Sequence, residues 1–478
     1  MAVTWVGVDV GTQSIRALAV DEDGRTVAAA KRPLRGTRSG TRHEQDPDAW
    51  WVLAAEALSE LDLRGHEVGG VAVCATSGTV LLTDSDGTPR TPGLMYDDTR
   101  AGALSRQAQD AGEALWTRLG YRMQPAWALP KLLWWRDKGL VSEDVRLAHQ
   151  PDVITAALVG HPVASDASHG LKTGYDLIED RWPDAILSAL AVPESVLPEV
   201  VRPGTMLGEV CAEAAVLTGL PAGTPVVAGM TDGCAAQLAA GALDVGEWNS
   251  VLGTTLALKG VSTSLPHDPT GAVYSHRAPH GDLWLPGGAS STGAGAVRAL
   301  FPGTGLDALT AAAAEVRDVP LCYPLVGHGE RFPFVAPEAR GFLGDGPLTV
   351  TGDPARAFAA VCTGVAHVER LSFELLASAG ADVGGTVTFT GGGVRNEWWN
   401  QLRCDVLGVP VRLPANPEPA LGMAVLAAGT RTGDIPAAAK RLVRVRRTLE
   451  PDLTRHADLT PAYESFVAAL TDRGWWEG

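Results

Sequence analysis

Two stretches of this chain share one pattern of apolar and polar positions. Val6 to Val20 (VGVDVGTQSIRALAV) is apolar-rich, turns at Gly11-Thr12 and then resumes its alternation. Val251 to Val261 (VLGTTLALKGV) does much the same around Gly253-Thr254-Thr255. Each reads as two antiparallel strands joined by a tight turn of glycine and small hydroxyl residues. A repeated hairpin implies two domains of related architecture. Leu220 to Ala228 (LPAGTPVVA) has the Pro/Gly punctuation of a connector before a buried strand. The division is placed near 240–250, giving domains 1–245 and 246–478.

Helices and strands alternate between these points. Asp46-Pro47 predicts a helix start, with Asp as cap and Pro at the first helical position. Trp51, Ala54, Leu58 and Leu61 then recur at helical spacing, and a short buried strand follows at Gly70 to Cys74. Asp353-Pro354 opens a second long helix with Phe358, Val361, Val365, Val368, Leu371 and Leu375 on one face, stopped at Gly380. A strand Val387 to Thr390, a glycine turn, a helix from about Glu397 and a strand Val409 to Leu413 complete the pattern. Such alternation predicts an α/β protein with covered sheets.

At 478 residues the chain has room for two to four domains at roughly 100–200 residues each. Its 39 Lys plus Arg against 55 Asp plus Glu leave a net charge of −16, which argues against nucleic acid or an anionic membrane as main partner. Nucleotide phosphates remain admissible, because backbone N–H groups and a metal ion can hold them. The six cysteines include no C-x-x-C pair, so neither a zinc site nor a redox dithiol is signalled. Met1 to Val10 reads as a strand rather than a signal peptide, and no apolar run reaches the ~18–20 residues of a membrane span. The expectation is a cytoplasmic, soluble protein.

Four segments could carry chemistry. In Asp9-Val10-Gly11-Thr12-Gln13-Ser14, turn N–H groups and the Thr12 and Ser14 hydroxyls could hold phosphate oxygens. Asp9 could hold Mg2+ through water; a plain capped β-turn is the alternative. Gly229-Met230-Thr231-Asp232-Gly233 follows an apolar strand, where open α/β sheets place ligands. Asp232 there could act as a general base toward an alcohol, or simply cap the helix over Cys234 to Ala242. Thr390-Gly391-Gly392-Gly393-Val394-Arg395-Asn396 could let a flat ligand lie against backbone, or could need positive φ at several positions. Tyr96-Asp97-Asp98-Thr99-Arg100 pairs acids with an Arg in a way that suits a polyol; a solvated charge cluster or helix start is the alternative. Gly303-Thr304-Gly305-Leu306-Asp307-Ala308 matches a dinucleotide fingerprint by letter, but it follows Phe301-Pro302 rather than a strand. His276 and His280 are separated by Pro279, which argues against a helical metal pair.

These four segments, in this order, resemble the FGGY carbohydrate kinases of the actin, hexokinase and heat-shock ATPase superfamily. The resemblance runs from the first hairpin to about Gly433. It implies an α/β fold of two ribonuclease-H-like (actin/hexokinase-type) domains with ATP and sugar in a cleft between them. It further implies Asp9 as the metal-linked aspartate, Thr12, Gln13 and Ser14 as the first phosphate loop, and Gly253 and Thr254 as the second. Gly392 and Asn396, with Gly293 added, resemble the adenosine site. Asp232 resembles the catalytic base and Asp98 the sugar-binding acid, with Thr76, Ser77 and Arg100 beside the sugar. The implied cofactors are ATP and Mg2+, the implied partners a small sugar and ATP, and a homodimer is an admissible assembly.

One departure bears on substrate. Many xylulokinases carry Met-His where this chain reads Ala75-Thr76-Ser77-Gly78-Thr79. Leu129 to Trp135 (LPKLLWW), His149 to Asp152 (HQPD), Ser168 to Tyr175 (SHGLKTGY) and Gly327 to Phe334 (GHGERFPF) look more like the D-ribulose kinases, including relatives described as xylulose kinases. The expectation is phosphorylation of D-ribulose to D-ribulose 5-phosphate, with D-xylulose as the alternative and other polyols behind it. Glycerol is disfavoured because no Arg-Glu pair stands at Thr76-Ser77. From other classes, an actin-like ATPase or a silent sugar sensor would share parts of the pattern.

Overall fold

The computed structural model describes residues 3–476. The chain forms two compact units. One comprises the chain to Leu243 with His276–Trp284 and Asn416–Arg444; the other comprises Asp244–Ser275, Leu285–Ala415 and the chain from Val445. The chain thus returns to the first unit twice, at His276–Trp284 and at Asn416–Arg444, and the second return covers the first unit's sheet.

The first unit is built on a six-stranded sheet of β1 (Val3–Val10), β2 (Ser14–Val20), β3 (Thr26–Pro33), β4 (Glu67–Ala75), β5 (Met206–Glu209) and β6 (Pro225–Val227), in the order β5-β6-β4-β1-β2-β3. The hairpin β1–β2 and the pair β2–β3 are antiparallel, whereas β1–β4 and β4–β6 are parallel. Val6, Val8 and Val10 face a core that includes Trp50, Leu58 and Val71. The helix α1 (Pro47–Ser59) starts as expected, with Asp46 accepting from the Asp48 amide. It buries Ala54 and Leu58 of the expected stripe, with Leu61 just beyond its end, while Trp50 rather than Trp51 is the fully buried indole. A smaller five-stranded sheet, from short strands between residues 37 and 149, adjoins this core.

The second unit repeats the plan with β7 (Trp248–Leu252), β8 (Leu256–Gly260), β9 (Trp284–Ala289), β10 (Val387–Thr390), β11 (Val411–Pro414) and β12 (Val445–Leu449). Their order is β9-β8-β7-β10-β11-β12, with Tyr274–Arg277 beside β9. Directions match the first sheet strand for strand: β8–β9 and β7–β8 antiparallel, β7–β10 and β10–β11 parallel, β11–β12 antiparallel. One difference is that the antiparallel edge strand precedes its neighbour in the first unit and follows it in the second. The duplicated hairpins therefore belong to two ribonuclease-H-like domains of the actin/hexokinase type.

Helices fix the strand ends. The helix α2 (Asp232–Ala239) follows β6, α3 (Leu306–Ala314) and α4 (Pro354–Ser378) precede β10, and α5 (Glu397–Leu407) follows it. The helix α6 (Pro419–Thr432) lies on β1 and α2 with almost no side chain between: a Cβ on Gly7 would fall 1.8 Å from the Ala420 carbonyl oxygen, and one on Gly422 would fall 1.9 Å from that of Ala235. In the second unit's core, Arg403 forms a fully buried pair with Glu369, bonding it through Nε (2.7 Å) and Nη2 (2.8 Å) while Nη2 also donates to Ser250. Trp475 packs on Tyr323 and Phe334 of the same unit, so this end of the chain joins that core.

Candidate functional site

Asp9 pairs in register with Arg16 on β2 and Cys74 on β4. It is 3% exposed, yet it is a carboxylate at a strand end. Arg16 donates to it at 3.0 Å and also reaches Glu418, the residue before α6, at 3.4 Å. Burial raises the Asp9 carboxyl from its ordinary value to about 6; the nearby Asp232 charge adds to this, and Arg16 pulls against it. The turn that follows is tight, the Gly11 amide donating to the Ser14 carbonyl at 3.0 Å. Gln13 is exposed, Thr12 half-buried and Ser14 buried.

Asp232 is half-buried and occupies the first helical position of α2 rather than the cap, which is Thr231. Its Oδ1 accepts from the Gly233 amide at 2.8 Å. Strand end and helix start are adjacent here, because Thr231 bridges to Ala75 at the end of β4. The first unit therefore brings Asp9 and Asp232 within electrostatic range at the carboxyl ends of β1 and β6.

The loop after β4 holds Thr76 and Ser77. Thr76 is 3% exposed, and its hydroxyl donates to the Gln150 Oε1 at 2.8 Å while pairing with Thr79 at 2.6 Å. Gln150 Nε2 reaches Gln45 Oε1 at 3.4 Å, and Gln45 Nε2 donates to the Thr12 carbonyl at 2.8 Å. A chain of buried amides so links the first turn to this loop. The Ser77 hydroxyl has no partner among the described residues.

Asp98 is fully buried rather than solvated. It accepts from the His43 amide (2.7 Å), from Arg100 Nε (3.0 Å to each oxygen) and from Arg100 Nη2 (2.7 Å). Arg100 also holds Glu44 at 2.6 Å. Asp97 is tied to His43 and Arg38; burial raises it, but those hydrogen bonds outweigh burial and hold it below the usual range. The exposed groups of this segment are Tyr96 and Thr99.

In the second unit, the β7–β8 turn has the Gly253 amide donating to the Thr255 carbonyl at 3.0 Å. Residues 292–295 lie against it. The Ala294 and Gly295 amides donate to the Gly253 and Thr254 carbonyls, and a Cβ on Gly293 would fall 2.6 Å from the Thr255 backbone. The role visible for Gly293 is thus close packing behind the turn. Glu330, from the GHGERFPF stretch, holds the same segment through Ser290 (2.8 Å) and the Ser291 amide (2.6 Å).

A cavity of about 980 Å³ opens beside this turn, lined by Gly253, Thr254, Phe301, Gly392, Asn396 and Trp398 among others. Its size is that of a small-molecule pocket. The three glycines divide their work: Gly391 has φ +83° and, like Gly393, sits hard against Leu252, whereas Gly392 faces open space. Asn396 caps α5 by accepting from Trp399 at 3.0 Å and donates to Thr310 at 2.8 Å. Gly303, Thr304, Leu306 and Asp307, set aside as a false dinucleotide signal, line this same cavity at the start of α3.

The family's N-terminal domain matches residues 4–239 and its C-terminal domain residues 249–430. The chain belongs to the FGGY family of carbohydrate kinases. This kinase is 33% identical over 449 residues to a xylulose kinase of Streptomyces coelicolor, covering 91% of this chain and 90% of that protein. It is 26% identical to the xylulose kinase of Escherichia coli, covering 97% of each. The crystal structure of xylulose kinase from Rhodospirillum rubrum matches with a TM-score of 0.87 at 28% identity, covering 98% of each chain. No helix among the described residues is long and apolar enough to cross a membrane.

Residues beyond the expected set also stand at the site. Gln45 and Gln150 connect the two loops of the first unit. Lys131, buried in LPKLLWW, donates to the Gly78 carbonyl (2.8 Å) and the Met95 carbonyl (2.7 Å). Burial pushes its ammonium down to about 7, with Asp98 pulling it up. A Lys inside an apolar helical run was the available signal for it.

Proposed function

We propose that this FGGY kinase transfers the γ-phosphoryl group of ATP to the 5-hydroxyl of a ketopentose, with Asp232 as general base. The observation that carries this reading is the Asp9–Asp232 pair. Two carboxylates share one field at the strand ends of the first unit, and one of them is pushed up to about 6. Such a pair is stabilised by a cation and gains from giving one carboxylate a proton-accepting role. In that role Asp232 takes the hydroxyl proton as the sugar oxygen bonds to phosphorus, and the bond from phosphorus to the β–γ bridging oxygen breaks to release ADP. Asp9 is a donor that suits Mg2+, which takes one or two carboxylates and completes its shell from water and phosphate, and this leaves Asp232 free to act as the base. When bound, Mg2+ neutralises developing phosphate charge.

On the donor side, Gly253 and Thr254 supply a backbone turn for phosphates. Gly392 and Asn396, with Phe301 and Trp398, suit the adenosine part. Thr12, Gln13 and Ser14 form the corresponding turn of the first unit. On the acceptor side, Ser77 holds a buried hydroxyl with no partner among the described residues, while Thr76, Asp98 and Arg100 are fixed in the segments near it.

D-ribulose is the acceptor favoured by the Thr76-Ser77 pair in place of Met-His and by the stretches around Lys131, Gln150 and Ser168. D-xylulose, its epimer at one carbon, is favoured by the names of the relatives. Initial rates of ADP release over D-ribulose, D- and L-xylulose, L-ribulose, ribitol and glycerol separate the two. The highest kcat/KM on D-ribulose supports the first reading, and a higher value on D-xylulose supports the second. ADP release that ignores every ketopentose removes both. Asp232→Asn should lower kcat by roughly 10²–10⁴-fold with sugar binding retained.

A further inference from the structure

The segment Asp166–Lys172 reaches both the residue before the base and the acceptor loop of the first unit. Ser168, 1% exposed, accepts from the Thr231 amide at 2.9 Å. Thr231 is the cap residue immediately before Asp232. A cap residue's own amide is commonly held by a side chain three positions into the same helix; here a distant segment holds it. The Ser168 hydroxyl is itself oriented by Asp166, to which it donates at 2.5 Å. His169, fully buried, bonds Asp166 through Nδ1 at 2.6 Å and meets the Ala75 carbonyl through Nε2 at 3.4 Å. Lys172, half-buried, donates to the Ser77 carbonyl at 3.1 Å. Lys131 takes the next carbonyl, Gly78, from the other side.

The loop 75–78 thus has three of its carbonyls engaged by basic side chains, while the Ser77 hydroxyl stays without a partner. We propose that Asp166–Lys172 is a positioning clamp: Ser168 sets where Asp232 stands, and Lys172, with His169, sets where Ser77 presents its hydroxyl to the acceptor. The proposal rests on Asp232 being the base. Burial lowers the His169 imidazole, but the Asp166 charge outweighs burial and holds it above its usual value, and the 2.6 Å hydrogen bond joins the two. A base held by its neighbour's amide is fixed to a fraction of an ångström, and misplacement by about 1 Å can cost 10²-fold in rate.

The test uses the full-length kinase with its best ketopentose, ATP and Mg2+, and compares Ser168→Ala, Lys172→Met, Lys172→Arg and Asp232→Asn. Ser168→Ala should lower kcat, counted per titrated nucleotide-binding site, roughly tenfold while both KM values stay within about threefold; counting sites separates this from a loss of folded enzyme, which lowers apparent kcat at constant KM. Lys172→Met should raise the sugar KM about tenfold and leave the ATP KM alone, and Lys172→Arg should recover most of it. Wild-type kcat in Ser168→Ala together with wild-type sugar KM in Lys172→Met overturns the clamp, whatever their melting temperatures. If Ser168→Ala does not fold, the Lys172 pair on its half-buried side chain decides alone. Normal turnover in Asp232→Asn would instead remove the base, leaving the Lys172 result to judge the loop.

Discussion

Replacing Asp9 by Asn should stabilise this kinase at neutral pH while abolishing its work. The carboxyl stands at about 6 in the folded chain against an ordinary 3.8, a difference of 6 − 3.8 ≈ 2.2. At 1.36 kcal/mol per pH unit, this is a cost of about 3 kcal/mol for keeping the ionised form folded. A carboxyl with a raised folded value keeps its proton in the folded chain after the unfolded chain has released it. Its contribution is therefore neutral below pH 3.8, turns unfavourable between 3.8 and about 6, and is constant above. Asn has no proton to lose and retains an oxygen for Arg16. Comparing variant with wild type at pH 4 and at pH 8 cancels every pH-independent effect of the substitution. The melting-temperature gain of Asp9→Asn should be larger at pH 8 by roughly 6–12 °C, taking 2–4 °C per kcal/mol for a domain of about this size. Mg2+-dependent turnover should fall by orders of magnitude in the same sample. Equal gains at both pH values, or a variant less stable at pH 8 than at pH 4 relative to wild type, would refute the account of Asp9 as a buried charge kept for function.

Other outcomes follow from single contacts. Asp98→Ala leaves the His43 amide and Arg100 without their acceptor, and should raise the sugar KM tenfold or more with the ATP KM unchanged; equal rises in both would mark Asp98 as structural. Gly293→Ala drives a Cβ into the Thr255 backbone at 2.6 Å, so the ATP KM should rise at least tenfold while the sugar KM holds, as steady-state rates would show. Arg403→Leu strands Glu369 in the second unit's core and should cost about 3–5 kcal/mol in urea unfolding; a loss below about 1 kcal/mol would mean that Glu369 sheds its charge.

Much of this fold is written locally. The two hairpins, the Asp-Pro starts of α1 and α4 and the strand Val387–Thr390 all rest on periodicity, caps and turns within a few residues, and the structure reproduces them. Asp9 and Asp232 come within electrostatic range because the parallel strands β1, β4 and β6 end at one edge. What the local pattern misses is contact made at long range. Gln45 and Gln150 look like ordinary polar residues until folding joins them between Thr12 and Thr76. Asp98 reads as a solvent-facing acid because nothing nearby announces that the His43 amide will bury it. Gly303-Thr304 fails as a dinucleotide fingerprint, yet the cavity it lines depends on α5 and on the β7–β8 turn, distant in sequence. The apolar spacing predicts Trp51 on the buried face of α1 with Ala54, Leu58 and Leu61; its neighbour Trp50 takes that place, a difference of one residue in helical phase.

The helix α6 bears on the order in which this protein can be made. Gly7 leaves the ribosome 413 residues (420 − 7) before Ala420, against which it must lie. One face of β1 therefore stays uncovered until α6 has been made. A nascent first unit is in that interval an aggregation-prone intermediate and a natural client for chaperones. Premature termination anywhere before residue 432 would spoil both units at once, and no N-terminal half of this kinase should survive as a folded fragment.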